Sequence, residues 1–321
     1  MWETGYICTG MRQMPPECTI DLKWQEQMEE EYKLSKKARF KKSLPAATAN
    51  GPVSLWMIIF VLLPLLYIIF LSFMRRDVYG GIVYDFNFDN YALMFQPMYL
   101  KVISKSLWLA FMTTVICLLA GYPLAYWIAG KPSKTAGKLL MLVMIPYWTS
   151  SLVRLYSVNL LAMPNGFVNL FLLKIGIISQ PLDFLFSDTI VVLGLLVAML
   201  PFSVLPLYAS IEKLDMSLLE ASSDLGAKPA VTFFKITVPQ TMPGIVGCVL
   251  LVFIPSLGMY YVPEILGGGK VMLIGTLVKN QFLVTKDWPF GASIAILLIM
   301  ITLAMLWIYT RFAKLDDLEV A

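Results

Sequence analysis

The chain has 321 residues, of which 58% are hydrophobic and only 14% are charged, and its mean hydropathy is +0.73. Soluble domains carry about 25% charged residues, so these values exclude a water-exposed globular protein and indicate a membrane protein. The sequence contains no histidine, which excludes a Ser-His-Asp triad, an HExxH metal site and an imidazole proton shuttle. The net charge of +4 is too small and too dispersed to indicate nucleic acid binding.

Residues 1–52 are polar and predict a cytoplasmic N-terminal tail, followed by a transmembrane domain over residues 53–321. The tail has too few apolar residues to form a core, and it contains no apolar run before a small-residue cleavage site, so no signal peptide is predicted. Its basic end, KLSKKARFKK, predicts contact with anionic lipid headgroups. A tail that only sets the topology is the alternative.

Six stretches are long and apolar enough to cross a bilayer, which takes about 20 residues for a hydrocarbon thickness of ~30 Å. Each is predicted to be a helix because lipid offers no hydrogen-bond partners to the backbone. The predicted spans are residues 54–73, 106–129, 139–162, 189–210, 240–262 and 292–311. The sequence therefore predicts an all-α membrane protein with six transmembrane helices.

The orientation follows from the distribution of lysine and arginine. An even number of spans places both termini on one side, and cytoplasmic loops are enriched in basic residues. Basic residues precede the first span, and Lys131, Lys134 and Lys138 lie in the short loop after the second. Both termini are therefore predicted to be cytoplasmic, although the opposite loops are also basic at lower density.

The four cysteines, Cys8, Cys18, Cys117 and Cys248, form no CxxC pair. Cys117 and Cys248 lie inside apolar runs, where cysteine behaves as a small buried hydrophobic residue. Neither a disulfide framework nor a metal site is predicted.

The loop between the fourth and fifth spans, residues 211–239, is too long for a turn and predicts two short helices. Ser217 and Glu220 have the spacing of a capping box, and Gly226 lies where a left-handed residue would end the first helix. Pro229 can begin the second helix. Apolar side chains on both helices predict a docking surface for another protein; a helix at the membrane interface is the alternative. These side chains are Leu218, Leu219, Leu225, Val231, Phe233, Phe234 and Ile236.

The same loop resembles the EAA signature of ATP-binding-cassette (ABC) importer permeases. Glu220-Ala221-Ser222 is followed after three residues by Gly226, and after nine more by Ile236, with Pro239 three positions further on. Ser222 and Val238 depart from the alanine and leucine of the signature, and both replacements are small. We refer to residues 211–239 as the EAA-like loop.

The resemblance implies a type I ABC importer permease (MetI-like) fold with a cytoplasmic coupling helix. It further implies that six residues of the EAA-like loop contact a separate ATPase: Glu220, Ala221, Ser222, Gly226, Ile236 and Pro239. The chain has no GxxxxGK[ST] phosphate loop, since the run from Gly267 to Lys270 lacks its spacing and hydroxyl residue. Nucleotide is therefore expected to bind another subunit, and no cofactor is predicted for this chain.

Several longer stretches are similar to the permeases of spermidine/putrescine importers, and the resemblance extends over residues 54–315. It implies polyamine transport with a second permease, two copies of an ATP-binding subunit and an external polyamine-binding protein. A permease for putrescine only or for another small solute is the alternative. The stretches are Gly121–Ala125, Trp148–Thr149, Arg154–Tyr156, Leu205–Tyr208, Ser210–Asp215 and Lys286–Gly291.

A polyamine path calls for groups that attract ammonium without trapping it. Aromatic faces attract cations by about 0.5 to 2 kcal/mol each, and Tyr260 and Tyr261 are followed closely by the acid Glu264. We predict that these three residues form an outer gate, with Trp148 near the path. The alternative is an interfacial belt of tyrosines beside an acid that meets water.

Arg154 is predicted to have a structural role, because an arginine in the path would repel a cationic substrate. At 1.5 Å per residue it lies about 22 Å along a helix that begins at Leu139, and an ionisable group at such depth is expected to be paired. Its predicted partner is Glu264.

Two other functional classes are alternatives to an importer. An ATP-independent secondary transporter typically shows inverted repeats, and the sequence shows no such symmetry. A membrane enzyme would need a nucleophile with a base, buried acids or metal ligands, which the spans lack.

Overall fold

The computed structural model describes residues 51–77, 81–182 and 185–312. The chain divides into two compact units, Met1–Leu66 and Tyr67–Ala321. The predicted tail of residues 1–52 lies outside the described residues except for its last two, as do Cys8 and Cys18. In the first unit the described residues are helical, with a π-helical turn at Ile58–Leu62.

Among the described residues, five helices are long and apolar enough to cross a membrane, and a bent pair provides a sixth. We call them spans 1 to 6 in chain order, with span 5 as the second member of the bent pair. They are Gly51–Ser72, Pro97–Ala129, Ser151–Ile175, Asp188–Ile211, Met242–Gly258 and Trp288–Phe312.

The third predicted span, residues 139–162, is not one helix. A helix at Ser133–Met144 passes into a 3-10 turn at Ile145–Trp148, and span 3 begins only at Ser151. Pro146 has no N–H to continue the α-helical pattern, and Thr149 and Ser150 adopt extended ψ angles of 151° and 133°. Span 3 itself is interrupted between Ala162 and Phe167 and continues to Ile175.

The fifth predicted span, residues 240–262, also differs. Its main helix ends at Gly258, and a separate helix follows at Tyr261–Gly267. At its other end, the helical segment Pro229–Gln240 joins span 5 at a bend of 67°.

Spans 2, 4 and 5 pack against one another and form the centre of the second unit. Cys117, Val204, Cys248 and Val252 are fully buried between them, and both cysteines are free. Gly244 allows the closest approach, because a Cβ there would lie 2.7 Å from the carbonyl oxygen of Pro206 and 2.4 Å from Ser210 Cβ.

Polar contacts hold together the end of the second unit at which spans 2, 4 and 6 begin. Lys105 on span 2 pairs with Asp188 on span 4 at 2.7 Å. Arg76 donates to the Thr285 carbonyl at 2.8 Å and lies 3.8 Å from Asp287, whose carboxylate accepts from the N–H of Phe290 in the first turn of span 6.

Shorter elements complete this end of the molecule. The two-residue strands Arg75–Arg76 and Ile82–Val83 pair antiparallel, and the helices Asp89–Met94 and Ile274–Leu283 lie beside spans 2 and 6. The hydroxyl of Ser106 accepts the N–H of Ile274 at 2.8 Å and so caps the helix that begins there.

The EAA-like loop contains the helix Met216–Asp224 and the segment Pro229–Gln240. The predicted capping residue is wrong: the cap is Asp215, whose carboxylate accepts the N–H of Ser217 at 2.9 Å. Asp215 has the extended backbone of a cap, with φ of -73° and ψ of 109°, whereas Ser217 lies inside the helix. Gly226 has the expected positive φ of 76°, and Pro229 occupies the first turn of the second segment.

Candidate functional site

A cavity of about 500 Å³ lies between the start of span 3, the middle of span 4 and the C-terminal end of span 5. Its wall is mostly apolar, with four hydroxyl groups and one guanidinium group among the lining residues. They are Tyr147, Thr149, Ser151, Arg154, Ala198, Met199, Phe202, Leu251, Pro255, Met259 and Tyr261. Tyr147 and Tyr261 contribute hydroxyl groups in addition to Thr149 and Ser151, so polar atoms are available on several sides.

Tyr147 fixes the 3-10 turn against span 4. Its ring meets that of Phe202 edge to face at a centroid distance of 4.8 Å, and its hydroxyl donates to the carbonyl oxygen of Ala198. An aromatic side chain with a polar tip is suited to such a half-buried position.

Arg154 lies against the same tyrosine. Its guanidinium carbon is 4.6 Å from the ring centroid of Tyr147, and Nη2 donates to the carbonyl oxygen of Thr149 at 3.4 Å. Its Nε is buried and has no hydrogen-bond partner in the described part of the chain. The turn before span 3 thus directs the guanidinium back onto the 3-10 segment.

The predicted ion pair between Arg154 and Glu264 is wrong. Glu264 binds Lys279 instead, because the separate helix Tyr261–Gly267 turns the carboxylate toward the helix Ile274–Leu283. The sequence estimate assumed that spans 3 and 5 continue as straight helices, which they do not.

The predicted path residues are only partly brought together. Tyr261 lines the cavity, whereas Trp148, Tyr260 and Glu264 are absent from its lining. Trp148 is 75% exposed, while its neighbour Tyr147 points inward. In a 3-10 turn, successive side chains are rotated by about 120°, so adjacent residues face different surroundings.

Sequence reasoning missed Tyr147 and gave its place to Trp148. Only knowledge that the helix is broken at this point could have indicated which of the two aromatic residues faces inward. None of the residues that line the cavity is a carboxylate. The cavity can attract an ammonium group through aromatic faces, but Arg154 opposes a cation there.

The EAA-like loop forms a second candidate site, away from the cavity. Leu225 is 88% exposed and Phe234 is 70% exposed, and such apolar side chains on one surface are typical of a protein contact. Of the predicted residues, Glu220, Ala221 and Pro239 are exposed, Ile236 is half-buried and Ser222 is buried.

A side-chain hydrogen bond joins the two halves of the EAA-like loop, and backbone hydrogen bonds end its first helix. Ser222 Oγ and Thr232 Oγ1 lie 2.7 Å apart. At the end of the first helix, the N–H of Ala227 donates to the Ser222 carbonyl at 3.1 Å and that of Gly226 to the Ser223 carbonyl at 2.9 Å, the pattern of a Schellman stop. The departure from the signature at Ser222 therefore adds a polar link that alanine could not make.

Asp215 carries the clearest electrostatic effect in the EAA-like loop. Hydrogen bonds from the side chain and then the backbone of Ser217 lower the pKa of its carboxyl group below the ordinary value. Since a cap accepts hydrogen bonds best when ionised, the helix Met216–Asp224 begins on a charged carboxylate at neutral pH.

The described residues contain no group of three cysteine, aspartate or glutamate side chains that could hold a metal ion. The two candidate sites are a cavity between helices and an exposed loop that carries apolar side chains.

Residues 121–315 match the family described as binding-protein-dependent transport system inner membrane component. The chain belongs to this family. It is an inner-membrane permease subunit of an ABC importer, works with a binding protein and other subunits, and is not an enzyme.

Relatives with a named substrate are similar over most of the chain. The spermidine/putrescine transport system permease protein PotB of Salmonella typhimurium (strain SL1344) is 44% identical over 266 residues, covering 83% of this chain and 93% of the relative. PotB of Escherichia coli (strain K12) is 44% identical over 265 residues, with coverage of 83% and 96%. PotB of Haemophilus influenzae is 41% identical over 265 residues, with coverage of 83% and 93%.

Among solved structures, a bacterial ABC transporter that imports the acidic polysaccharide alginate is similar in fold. Its chain has a TM-score of 0.69 and 19% sequence identity, and the match covers 88% of this chain and 100% of that one. The predicted all-α, type I ABC importer permease (MetI-like) fold is thereby confirmed.

Proposed function

We propose that this permease translocates polyamines, spermidine and putrescine, across the cytoplasmic membrane. The observation that carries the proposal is the 44% identity with PotB proteins over 83% of the chain. The proposed partners are a second permease (PotC-like), two ATP-binding subunits (PotA-like) and an external polyamine-binding protein (PotD-like).

The EAA-like loop is the proposed contact with the ATPase, through Glu220, Ala221, Ser222, Gly226, Ile236 and Pro239. Two features support this role: apolar side chains of the loop are exposed, and the hydrogen bond between Ser222 and Thr232 joins its two halves. A rigid element can transmit a movement of the ATPase, whereas a flexible one would absorb it. Leu225 and Phe234 extend the proposed contact beyond the residues of the signature.

The proposed substrate path runs past Trp148, Tyr260, Tyr261 and Glu264. Tyr260 and Tyr261 meet edge to face with ring centroids 6.0 Å apart, and Tyr261 connects the proposed gate to the cavity. Because Glu264 binds Lys279, a substrate ammonium group would replace the lysine as it enters. Arg154 holds the 3-10 turn, and acids that compensate its charge would come from the second permease.

The end of the bundle that carries the EAA-like loop is the proposed cytoplasmic side, with both termini on that side. Phe233 of the loop packs against Tyr126 near the end of span 2, with ring centroids 6.5 Å apart. The loop thus shares its end of the bundle with Lys131, Lys134 and Lys138, whose density marks a cytoplasmic loop. The tail of residues 1–52 is proposed to lie on the same side.

Uptake by whole cells tests the substrate. Bacteria that lack their own polyamine importers would express the complete importer and receive radiolabelled spermidine or putrescine. We expect uptake that needs both this chain and an active ATPase. Uptake of putrescine alone would narrow the substrate, and uptake of neither, with transport of another solute, would refute the polyamine proposal.

The proposed gate has a matched control in the same fold. Glu264→Gln removes a carboxylate from the exposed pair with Lys279, and Asp188→Asn removes one from the pair with Lys105. We expect the first variant to slow uptake at subsaturating polyamine and the second to leave it unchanged. Equal effects of the two variants would remove Glu264 from the path.

The proposed ATPase contact is tested by adding charge to the exposed apolar surface. Phe234→Glu should abolish co-purification of the ATPase, because a carboxylate would be desolvated in the contact. Phe95→Glu is the control, since Phe95 is 74% exposed at the other end of the bundle. Retention of the ATPase by Phe234→Glu, or its loss from both variants, would count against the contact.

A further inference from the structure

Tyr122 lies in the Gly121–Ala125 stretch of span 2, to which none of the roles above has been assigned. Its side chain is buried between the central helices. Its ring meets that of Phe233, in the EAA-like loop, at 5.6 Å and 88°, and its hydroxyl lies 2.8 Å from Thr241 Oγ1. A single side chain of span 2 thus contacts both the loop and the start of span 5.

The direction of this hydrogen bond follows from the other bond of Thr241. Thr241 Oγ1 donates to the carbonyl oxygen of Thr237 at 2.8 Å. A threonine hydroxyl has one hydrogen, so it must accept from Tyr122. The three groups form a buried chain in which Tyr122 donates to Thr241 and Thr241 donates to the last turn of the EAA-like loop.

Thr241 occupies the bend of 67° between the segment Pro229–Gln240 and span 5. Backbone hydrogen bonds continue through it, from Thr241 to the Thr237 carbonyl at 3.0 Å and from Ile245 to the Thr241 carbonyl at 3.0 Å. Pro239 and Pro243 cannot donate backbone hydrogen bonds at this point. The backbone alone therefore leaves the bend underdetermined, and the side-chain bond to span 2 adds a constraint from outside.

The ring contact cannot supply this constraint by itself. A groove of about 460 Å³ opens beside Tyr122 and is also lined by Tyr126, Trp127 and Phe233. Phe233 therefore has open space on one side, into which it can move while it remains in contact with the neighbouring rings. The hydroxyl bond has no such freedom because its distance and angle are narrowly limited.

We propose that Tyr122 is a positioning residue that transmits movement of the EAA-like loop to the transmembrane bundle by fixing the bend at Thr241. The inference rests on the proposed role of the loop as the ATPase contact. With the hydroxyl bond in place, the loop, the bend and span 2 move together. Without it, the loop can follow the ATPase while the bundle does not respond.

The test uses the complete importer in liposomes, with ATP hydrolysis and the uptake of radiolabelled spermidine and putrescine measured on the same vesicles. Tyr122→Phe keeps the ring and removes only the hydroxyl. We expect transport per ATP to fall roughly fivefold or more, the range of a typical coupling between two sites, while the ATPase stays bound.

Tyr91→Phe is a matched control, because Tyr91 and Ser72 also share a hydroxyl bond of 2.8 Å. That bond lies at the other end of the bundle, so its loss should leave transport per ATP unchanged. Thr241→Ser keeps the hydroxyl at the bend and should also behave like the unaltered protein.

A double-mutant cycle gives a second, independent measure. Thr241→Val breaks the same bond from the other side and also removes the bond to Thr237. Adding Tyr122→Phe to Thr241→Val should therefore cause no further loss. Unchanged transport per ATP in Tyr122→Phe, or additive losses in the double variant, would overturn the proposal. Co-purification of the ATPase with Phe234→Glu tests the loop's role separately, so the two proposals can fail independently.

Discussion

Asn169 binds three backbone groups from a position that is fully buried. Its Nδ2 donates to the carbonyl oxygens of Met163 and Leu182 at 3.0 and 2.9 Å, and its Oδ1 accepts the N–H of Leu182 at 3.0 Å. The side chain therefore holds together the break within span 3 and the segment that leads to span 4. No pattern around Asn169 in the sequence distinguishes it from an exposed loop asparagine.

We predict that Asn169→Ala lowers the free energy of unfolding by about 2 kcal/mol, because buried backbone groups lose their partners. The measurement is SDS titration of the purified chain in detergent. Asn159→Ala is the control, since Asn159 Oδ1 has no hydrogen-bond partner among the described residues. A loss of similar size in both variants would show that the network of Asn169 is not the cause.

At the scale of single residues, the environment of Arg154 could be predicted only in part from the sequence. The rarity of arginine in apolar segments indicates a group with specific contacts, and Arg154 contacts Tyr147 and Thr149. Its partner could not be inferred, because the contact with Tyr147 depends on a turn rather than on the spacing of two residues along a helix. A sequence distance converts into a position only while the helix continues.

At the scale of elements, the helix Met216–Asp224 depends on the ionisation of its cap. The pKa of Asp215 is lowered in the folded protein, below the ordinary value of about 3.9. Such a group stabilises the fold above its unfolded pKa, and this contribution is lost as the pH falls through the folded value. The downward shift of this pKa therefore predicts that the cap is lost in acid. Its contribution to stability should not change between neutral and mildly alkaline pH.

We predict that the amides of Met216–Asp224 lose protection from hydrogen exchange below about pH 4, after correction for intrinsic rates. Asp215→Asn provides the comparison, because asparagine is also a good cap and does not titrate. If the unaltered protein and Asp215→Asn show the same dependence on pH, other groups are responsible.

The close packing of spans 4 and 5 leads to a second prediction at the scale of elements. Gly244→Ala would place a methyl group 2.4 Å from Ser210 Cβ, so the two helices must separate, at a cost of about 1–3 kcal/mol. Gly137→Ala is the matched control, since a Cβ at Gly137 would meet no atom within 4 Å. SDS titration should show destabilisation by the first variant and none by the second.

The helices could be predicted from sequence where apolar residues are continuous and less well where they are not. Spans 1, 4 and 6 begin within four residues of the predicted positions. Span 2 begins at Pro97 rather than residue 106, because Lys101 and Lys105 interrupt the apolar run, and Lys105 is neutralised by Asp188. The break before span 3 depends on local backbone geometry at Pro146, which hydropathy does not register.

At the scale of the whole molecule, the sequence constrains the orientation of the chain in the membrane less than it constrains the positions of the helices. Span 2 contains 33 residues, about 50 Å at 1.5 Å per residue, and so extends beyond the hydrocarbon region. Gln96 lies immediately before span 2, and Ser133 lies shortly after it. The two residues are on opposite sides of the membrane if the span crosses it. They offer direct labels for the proposed orientation.

We predict that Ser133→Cys reacts with a membrane-impermeant maleimide only after the cells are permeabilised, and Gln96→Cys reacts in intact cells. Both variants would be made in a chain whose four native cysteines have been replaced. The reverse pattern would invert the proposed topology and place the EAA-like loop outside the cell. Labelling of both sites in intact cells would indicate that span 2 does not cross the membrane.

The contact of Arg76 with Thr285 and Asp287 has a consequence for biosynthesis. The two sides of this contact are separated by 209 residues of sequence, and a ribosome that adds about 5–20 residues per second needs roughly 10–40 s to make the intervening chain. During that interval, Arg76 has been synthesised but Thr285 and Asp287, its partners in the folded protein, have not. Closure of this contact thus depends on residues that are synthesised late, and a polypeptide terminated before Thr285 would lack it.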